Sequence, residues 1–184
     1  MSGIGNWFKK SGTWSITEQT INNNIQIILG QKYLKCTSSG IIYMLQKNVL
    51  GTFFFNNVLL LNNNDRIIFN TNRPELNKQN GYAIERLNNT TARLVKLING
   101  VSTSLILNNT LDLNNKLYDF QIQRTTNVLN NTFIVYYRQS GSIKWISLNT
   151  NIIDNSFTTS NYLSLQFGAN SYISGIRILQ GVTF

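Results

Sequence analysis

Histidine is absent from this chain of 184 residues, and cysteine occurs once, at Cys36. Without an imidazole the usual general base for a serine, threonine or cysteine nucleophile is missing. With one thiol no intrachain disulfide can form, so oxidative folding is not implied. Cys36 itself reads as a buried, inert thiol, because nothing in its sequence context activates it. Zinc and transition-metal sites lack their ligands, and the seven acids contain no Asp-x-Asp pattern. The segment Asn62-Asn63-Asn64-Asp65 could offer oxygens to calcium but reads as a hydrated turn, so neither a metal nor another cofactor is expected.

Charge is also scarce. Only 12% of residues are charged, against about 25% in an average globular protein. Sixteen lysines and arginines against seven acids give a net charge of +9. Lys9-Lys10 is the one adjacent basic pair, and no basic arm exists, so nucleic acid is not an expected partner. The default expectation is a solvated basic surface; the sharper one is docking onto an acidic protein lattice or a polyanionic glycan. No stretch approaches the roughly 18 apolar residues of a membrane span, and the first residues lack the apolar run of a signal peptide. The expectation is a product made in a host cytoplasm, neither inserted in a membrane nor secreted by a signal. With a single proline, Pro74, and twelve dispersed glycines no linker is visible, and residues 1–184 read as one domain.

What the chain has in quantity is alternation. Tyr118, Phe120 and Ile122 point one way and Asp119, Gln121 and Gln123 the other, and the same period recurs at Phe133, Val135 and Tyr137 and at Leu163, Leu165 and Phe167. Each strand is expected to have one wet face. The N-terminal part predicts strands at Gly12–Thr17, Ile25–Leu29, Tyr33–Cys36, Ile41–Gln46, Gly51–Phe55 and Arg66–Asn70, followed by an exposed loop from Thr71 to Asn80 around Pro74. Further strands are expected at Gly81–Leu87, Ala92–Ile98, Val101–Leu107, Leu117–Arg124, Thr132–Arg138, Ile143–Leu148, Tyr162–Phe167 and Ser174–Leu179. Asparagine, at 29 positions, tolerates the left-handed backbone of tight turns. Its plain source is a genome rich in A and T. Asn99-Gly100 between two apolar alternating segments predicts a type I′ hairpin. Leu-Asn-Asn-Thr occurs at residues 87–90, 107–110 and 129–132 and reads as three turns, not as a solenoid repeat.

These segments carry a resemblance. Gly12-Thr13-Trp14-Ser15-Ile16, Asn80-Gly81-Tyr82-Ala83-Ile84, Leu94 to Gly100, Tyr118 to Arg124, Phe133 to Tyr137 and Ser174 to Ile178 are together similar to concanavalin A-like lectin/glucanase domains, nearest to laminin G-like jelly rolls. The resemblance implies two curved antiparallel sheets, with ligand or partner contacts on the concave face or its rim loops. Laminarinase-like members carry alternate carboxylates on one strand. Here Glu18, Asp65, Glu75, Glu85, Asp112, Asp119 and Asp154 include no two separated by two or four residues on a strand. Glycoside hydrolysis ordinarily needs two carboxyls about 5 to 9.5 Å apart, so no catalytic residue is assigned and no hydrolase activity is expected.

The aromatic residues remain as candidates. Trp14 lies in a strand-like run and reads as core. On Phe133–Arg138, Tyr136 and Arg138 share a face, and Trp145 follows a Ser-Gly turn within hairpin reach, so Tyr136, Arg138 and Trp145 could form a sugar-stacking group or a protein contact. Taken singly, Trp145 reads as core. The apolar end of the chain, with Val182 and Phe184, is a candidate assembly contact. The reading placed first is therefore an all-β jelly roll acting as a non-enzymatic binding module. Its expected setting is a bacteriophage virion, as a capsid-decoration, head-fibre or tail-associated part, with other virion proteins, a second copy or a cell-surface glycan as partner. The alternative is a free-standing carbohydrate-binding, lectin-like domain.

Overall fold

Alternation of apolar and polar side chains is a strand signal, and the strands follow it. The computed structural model describes residues 7–18, 32–46, 51–108, 111–126, 130–148 and 151–180, and among them the regular structure is all strand. In chain order these are β1 (Phe8–Lys9), β2 (Thr13–Glu18), β3 (Lys32–Ser38), β4 (Gly40–Leu45), β5 (Gly51–Val58), β6 (Arg66–Thr71), β7 (Gly81–Asn88) and β8 (Thr91–Ile98). There follow β9 (Val101–Asn108), β10 (Tyr118–Thr126), β11 (Asn131–Gln139), β12 (Ile146–Ser147), β13 (Ile152–Ile153), β14 (Tyr162–Phe167), β15 (Tyr172–Ile173) and β16 (Gly175–Gln180). All pairings are antiparallel. One sheet runs β1-β4-β14-β6-β7-β8-β9, a second β12-β11-β10-β5-β16 with β13 also on β11, and a small third β15-β3-β2. The expected strand at Ile25–Leu29, and Val182 and Phe184, lie outside the described residues.

The two large sheets pack face to face. Ile42, Leu163, Leu165, Phe167, Ile67, Phe69, Tyr82, Ile84 and Leu94 from the first meet Phe53, Phe55, Phe120, Ile122, Phe133 and Val135 from the second in one buried cluster. Rings cross the interface: Phe53 and Phe69 lie 5.8 Å apart, Tyr82 and Phe133 4.5 Å. Each such side chain contributes on the order of 1.5–3 kcal/mol by leaving water, and Trp14 belongs to this core as expected. This is a two-sheet β-sandwich of the jelly-roll kind.

Asparagine does the turning. The described residues with positive φ other than glycine are Asn57, Asn64, Asn77, Asn99, Asn115 and Asn170, all of one type, because its short side chain relieves the left-handed penalty by local hydrogen bonding. Asn99 and Gly100, at φ 51° and 78°, make the expected hairpin turn between β8 and β9.

Four expectations need correction. The first sheet does not keep one wet face: all six residues of β6 and the first six of β7 are buried. Ile68, Ala83, Val95 and Leu97 form a second apolar cluster on its outer side. Second, the loop around Pro74 is not simply exposed. Pro74 and Gln79 are buried, and the loop is tied to the β8–β9 turn by Gly100 N–H to Gln79 O (2.9 Å) and Asn99 N–H to the Asn80 side-chain oxygen (2.7 Å). A Cβ on Gly100 would stand 2.6 Å from the Asn77 Cα, so glycine is needed there for room as well as for φ. Third, the basic residues are not all solvated, since Arg66, Arg86 and Arg124 are buried. Fourth, Ile143–Leu148 shrinks to the two residues of β12, because the turn at Gly141 (φ 89°) leaves residues 142–145 outside the ladder.

Candidate functional site

The three candidates from the second part of the chain come together. β11 pairs with β12 through Tyr136↔Ser147 and Tyr137↔Ile146. The inner residues Phe133, Val135 and Tyr137 are buried, which leaves Ile134, Tyr136 and Arg138 half-buried on the outer face. Continuing the hairpin brings Trp145 to that same face, where the Arg138 guanidinium lies 4.5 Å from the centre of its ring. Trp145 is half-buried on the surface, so its single-residue reading as core is wrong: the side chain covering it is a cation, not the hydrophobic interior.

Arg138 is held from behind. Its Nε donates to Asp119 Oδ2 at 2.9 Å. The other carboxylate oxygen accepts from the Ser140 hydroxyl (2.8 Å) and the Asn57 N–H (2.9 Å). Asp119 is almost fully buried under these partners, and a carboxylate with this many donors acts as an anchor. It sets the plane of the guanidinium and, through it, the Trp145 ring.

Sequence reasoning missed the rest of the face. Register places Tyr136 opposite Gln121, Gln121 opposite Phe54, and Phe54 opposite Arg177. A single cross-strand row therefore runs Ser147, Tyr136, Gln121, Phe54, Arg177, about 19 Å long at about 4.8 Å per strand. The adjoining row holds Ile134, Gln123 and Thr52. Tyr136, Gln121 and Phe54 are half-buried and Arg177 is exposed. Flat rings alternate with amide and guanidinium groups on a rigid sheet, an arrangement suited to stacking with hydrogen bonds at the ring edges.

The outer face of the first sheet is built differently. Glu85 on β7 lies between its cross-strand neighbours Arg66 and Arg93. Arg66 Nε donates to one carboxylate oxygen at 2.5 Å, Arg93 Nε to the other at 2.8 Å, and the Ser102 hydroxyl donates as well. Burial opposes ionisation of Glu85, and the donors from Ser102, Arg66 and Arg93 outweigh it, holding the carboxyl below its ordinary range. Its alternates on the strand, Gly81, Ala83 and Leu87, carry no second acid. Arg66 also donates to Gly100 O (3.2 Å) and Ser102 Oγ (2.7 Å), which draws the β8–β9 turn against the pair.

Asp65 and Cys36 are structural. Asp65 accepts from the N–H groups of Leu61 (2.9 Å), Asn62 (2.8 Å) and Gly168 and from the Ser171 hydroxyl, so its oxygens organise the turn. Cys36 is fully buried, and burial together with the nearby Asp65 pushes the thiol up to about 11, the opposite of an activated nucleophile. Among the described residues no cluster of three or more His, Cys, Asp or Glu could hold a metal ion.

Comparison with solved structures establishes the fold. The carbohydrate-binding module CBM66 of Bacillus subtilis superposes with a TM-score of 0.63 at 14% identity, over 93% of both chains. The exoplasmic/lumenal domain of VIP36, bound to Ca2+ and Man3GlcNAc, gives 0.61 at 14% identity over 97% of this chain and 85% of that one. A Bacillus licheniformis β-glucanase gives 0.60 at 15% identity, over 98% of this chain and 95% of the enzyme. The chain has the concanavalin A-like jelly-roll fold. No family model and no curated protein matches it by sequence.

Proposed function

We propose that this chain is a non-catalytic carbohydrate-binding domain that lays a glycan across the outer face of the β12-β11-β10-β5-β16 sheet. The observation that carries this reading is the face itself: Trp145 seated on an Arg138 that Asp119 anchors, followed by Tyr136, Gln121 and Phe54 in one row. Trp145, Tyr136 and Phe54 supply apolar planes for sugar rings, and Gln121, Gln123 and Arg177 supply hydrogen bonds to hydroxyls. The likeness to a carbohydrate-binding module and to a domain bound to Man3GlcNAc supports this reading over the virion setting, which rests on the asparagine-rich composition and on the lack of a signal segment and of catalytic groups. The acids support a non-catalytic reading. Among the described residues the one carboxylate on this face, Asp119, is committed to Arg138 and Ser140, and Glu85 is locked among arginines on the other sheet. Among the described residues neither has an acid as a cross-strand neighbour that could serve as the second carboxyl.

The test is a glycan array followed by affinity electrophoresis in the glycans that score. Trp145→Ala is expected to weaken binding at least tenfold while the melting temperature stays within about 2 °C, since the ring sits outside the core. A blank array across plant, microbial and animal glycans, or unchanged binding by Trp145→Ala, overturns the reading.

A further inference from the structure

A groove of about 530 Å³ opens on the inner side of the β11–β12 hairpin, lined by Tyr118, Tyr137, Gln139, Ser140, Ser142 and Lys144 among others. Its volume lies in the range of small-ligand sites. Tyr118 and Tyr137, each 7% exposed, form its floor, with ring centres 6.3 Å apart and planes inclined by 56°. The Tyr118 hydroxyl is turned to the Asp112 carbonyl at 3.1 Å, which fixes that ring. Ser142 Oγ accepts from the Lys144 N–H at 3.3 Å and keeps its own proton to donate. A firm aromatic floor with hydroxyls and an amide at its rim suits a small polar ligand such as a sugar, and this groove shares its hairpin with Trp145.

Charge narrows the ligand. Every acid whose side chain is described has an internal partner: Asp65 has its turn, Glu75 has Lys10, Glu85 has Arg66 and Arg93, Asp112 has Lys116, Asp119 has Arg138 and Asp154 has Lys96. The groove lining itself includes no acid, and its one charged residue, Lys144, is exposed with no ion pair among the described residues. The mouth therefore carries one uncompensated positive charge and no free carboxylate to repel an anion.

We infer that this groove holds a sugar residue bearing a carboxylate, with Lys144 as its counter-ion and the rim groups of Gln139 and Ser142 on its hydroxyls. The inference rests on the carbohydrate-binding reading and adds to it the ligand's charge and the subsite that reads it.

The experiment compares matched acidic and neutral probes, sialyllactose beside lactose and trigalacturonate beside galactotriose, by titration calorimetry at low and physiological salt. Lys144→Gln and Trp145→Ala are run alongside the wild type. Expected is tighter binding of at least one acidic probe than of its neutral partner, weakened by salt and weakened about tenfold by Lys144→Gln, the loss typical of a charge-assisted hydrogen bond. Neutral binding should be unmoved by Lys144→Gln. Equal affinity for acidic and neutral probes with a silent Lys144→Gln overturns the inference and leaves the carbohydrate reading standing. Failure of all four probes to bind, while the array scores other glycans, also overturns the inference alone; a blank array overturns both.

Discussion

The two outer faces of the sandwich use the same strand alternation to opposite ends. On the first sheet, the residues that alternation turns away from the core are themselves buried: Ile68, Ala83, Val95 and Leu97 cluster, and Glu85 is enclosed by Arg66, Arg93 and Ser102. On the second sheet, the corresponding positions hold Tyr136, Gln121, Phe54 and Arg177, which keep part of their surface in water. The first face has its Glu85 network spoken for by the protein, and its other polar atoms, those of Asn70 and Ser164 and the Gln166 Oε1, are shut away from water, so its chemistry is stability. The second leaves planes and donors unspent, and only such a face can take a ligand without first breaking its own contacts. A single acid on each makes the contrast concrete. Glu85 ties three strands together, whereas Asp119 holds Arg138 against the Trp145 ring on the surface.

The largest effect should come from breaking the closed face. Glu85→Gln keeps the shape of the side chain and leaves Arg66 and Arg93 without their counter-charge. Removing one partner of a buried ion network costs about 3 kcal/mol or more. Urea denaturation should show that loss with an unchanged slope. A loss below about 1 kcal/mol would mean that the arginines swing out to water and that the closed face is looser than its geometry.

A smaller effect is expected from acid. Asp154, at the end of the sandwich, accepts from the Tyr82 hydroxyl at 2.6 Å and from Lys96 at 2.9 Å. Burial opposes its ionisation, yet the hydrogen bonds from Tyr82, Lys96 and Ser156 prevail and hold its carboxyl at about 2. A carboxyl with a folded pKa below its unfolded one stabilises above the unfolded value, near 4, and that contribution is lost as pH falls from about 4 toward 2. It amounts to about 2 kcal/mol. Asp154→Asn should therefore be less stable than the wild type by about that much at neutral pH, and the two curves should converge near pH 2. Parallel curves across the whole range would show that Asp154 does not titrate as its partners imply. Trp145→Ala, on the open face, should follow the wild-type curve throughout.

Much of this contrast was legible in the sequence, and its limits are physical. Alternation placed Tyr136 and Arg138 on one face, and the Ser-Gly turn placed Trp145 within reach, so the head of the platform followed from local rules. Phe54 was hidden in the run Phe53-Phe54-Phe55, where every position is apolar and composition cannot tell inside from outside; period two alone says that the middle ring must oppose its neighbours. Arg177 needed the pairing of β16 with β5, a long-range choice that no local pattern encodes. The closed face was misread for a related reason. A glutamate and two arginines on neighbouring strands look solvated one by one, and only the register of β6, β7 and β8 brings their charges together so that they can be buried. Arg124 went the same way: it follows Ile122 on the inner side of β10, where it donates to Thr158 O at 2.9 Å.

The smallest effect sharpens the comparison most, because it asks one residue to be dispensable for folding and useful for binding. Gln121 lies between Tyr136 and Phe54 in the cross-strand row, half-buried, with its amide on the outer face. Gln121→Ala removes a side chain that bridges two rings without belonging to the core, and substitutions away from buried networks usually stay within about 0.5 kcal/mol. Alanine also fits a strand less well than longer side chains, a cost of a few tenths of a kcal/mol at most on an interior strand with its cross-strand rings retained. The free energy of unfolding should therefore barely move. Affinity should fall about threefold to tenfold for any glycan that crosses the row, since one neutral hydrogen bond to a sugar hydroxyl is lost between two intact stacking planes. Full affinity in Gln121→Ala, with Trp145→Ala still impaired, would confine the glycan to the hairpin end of the sheet. A marked loss of stability in Gln121→Ala would mean that the open face, like the closed one, is already spent on the fold.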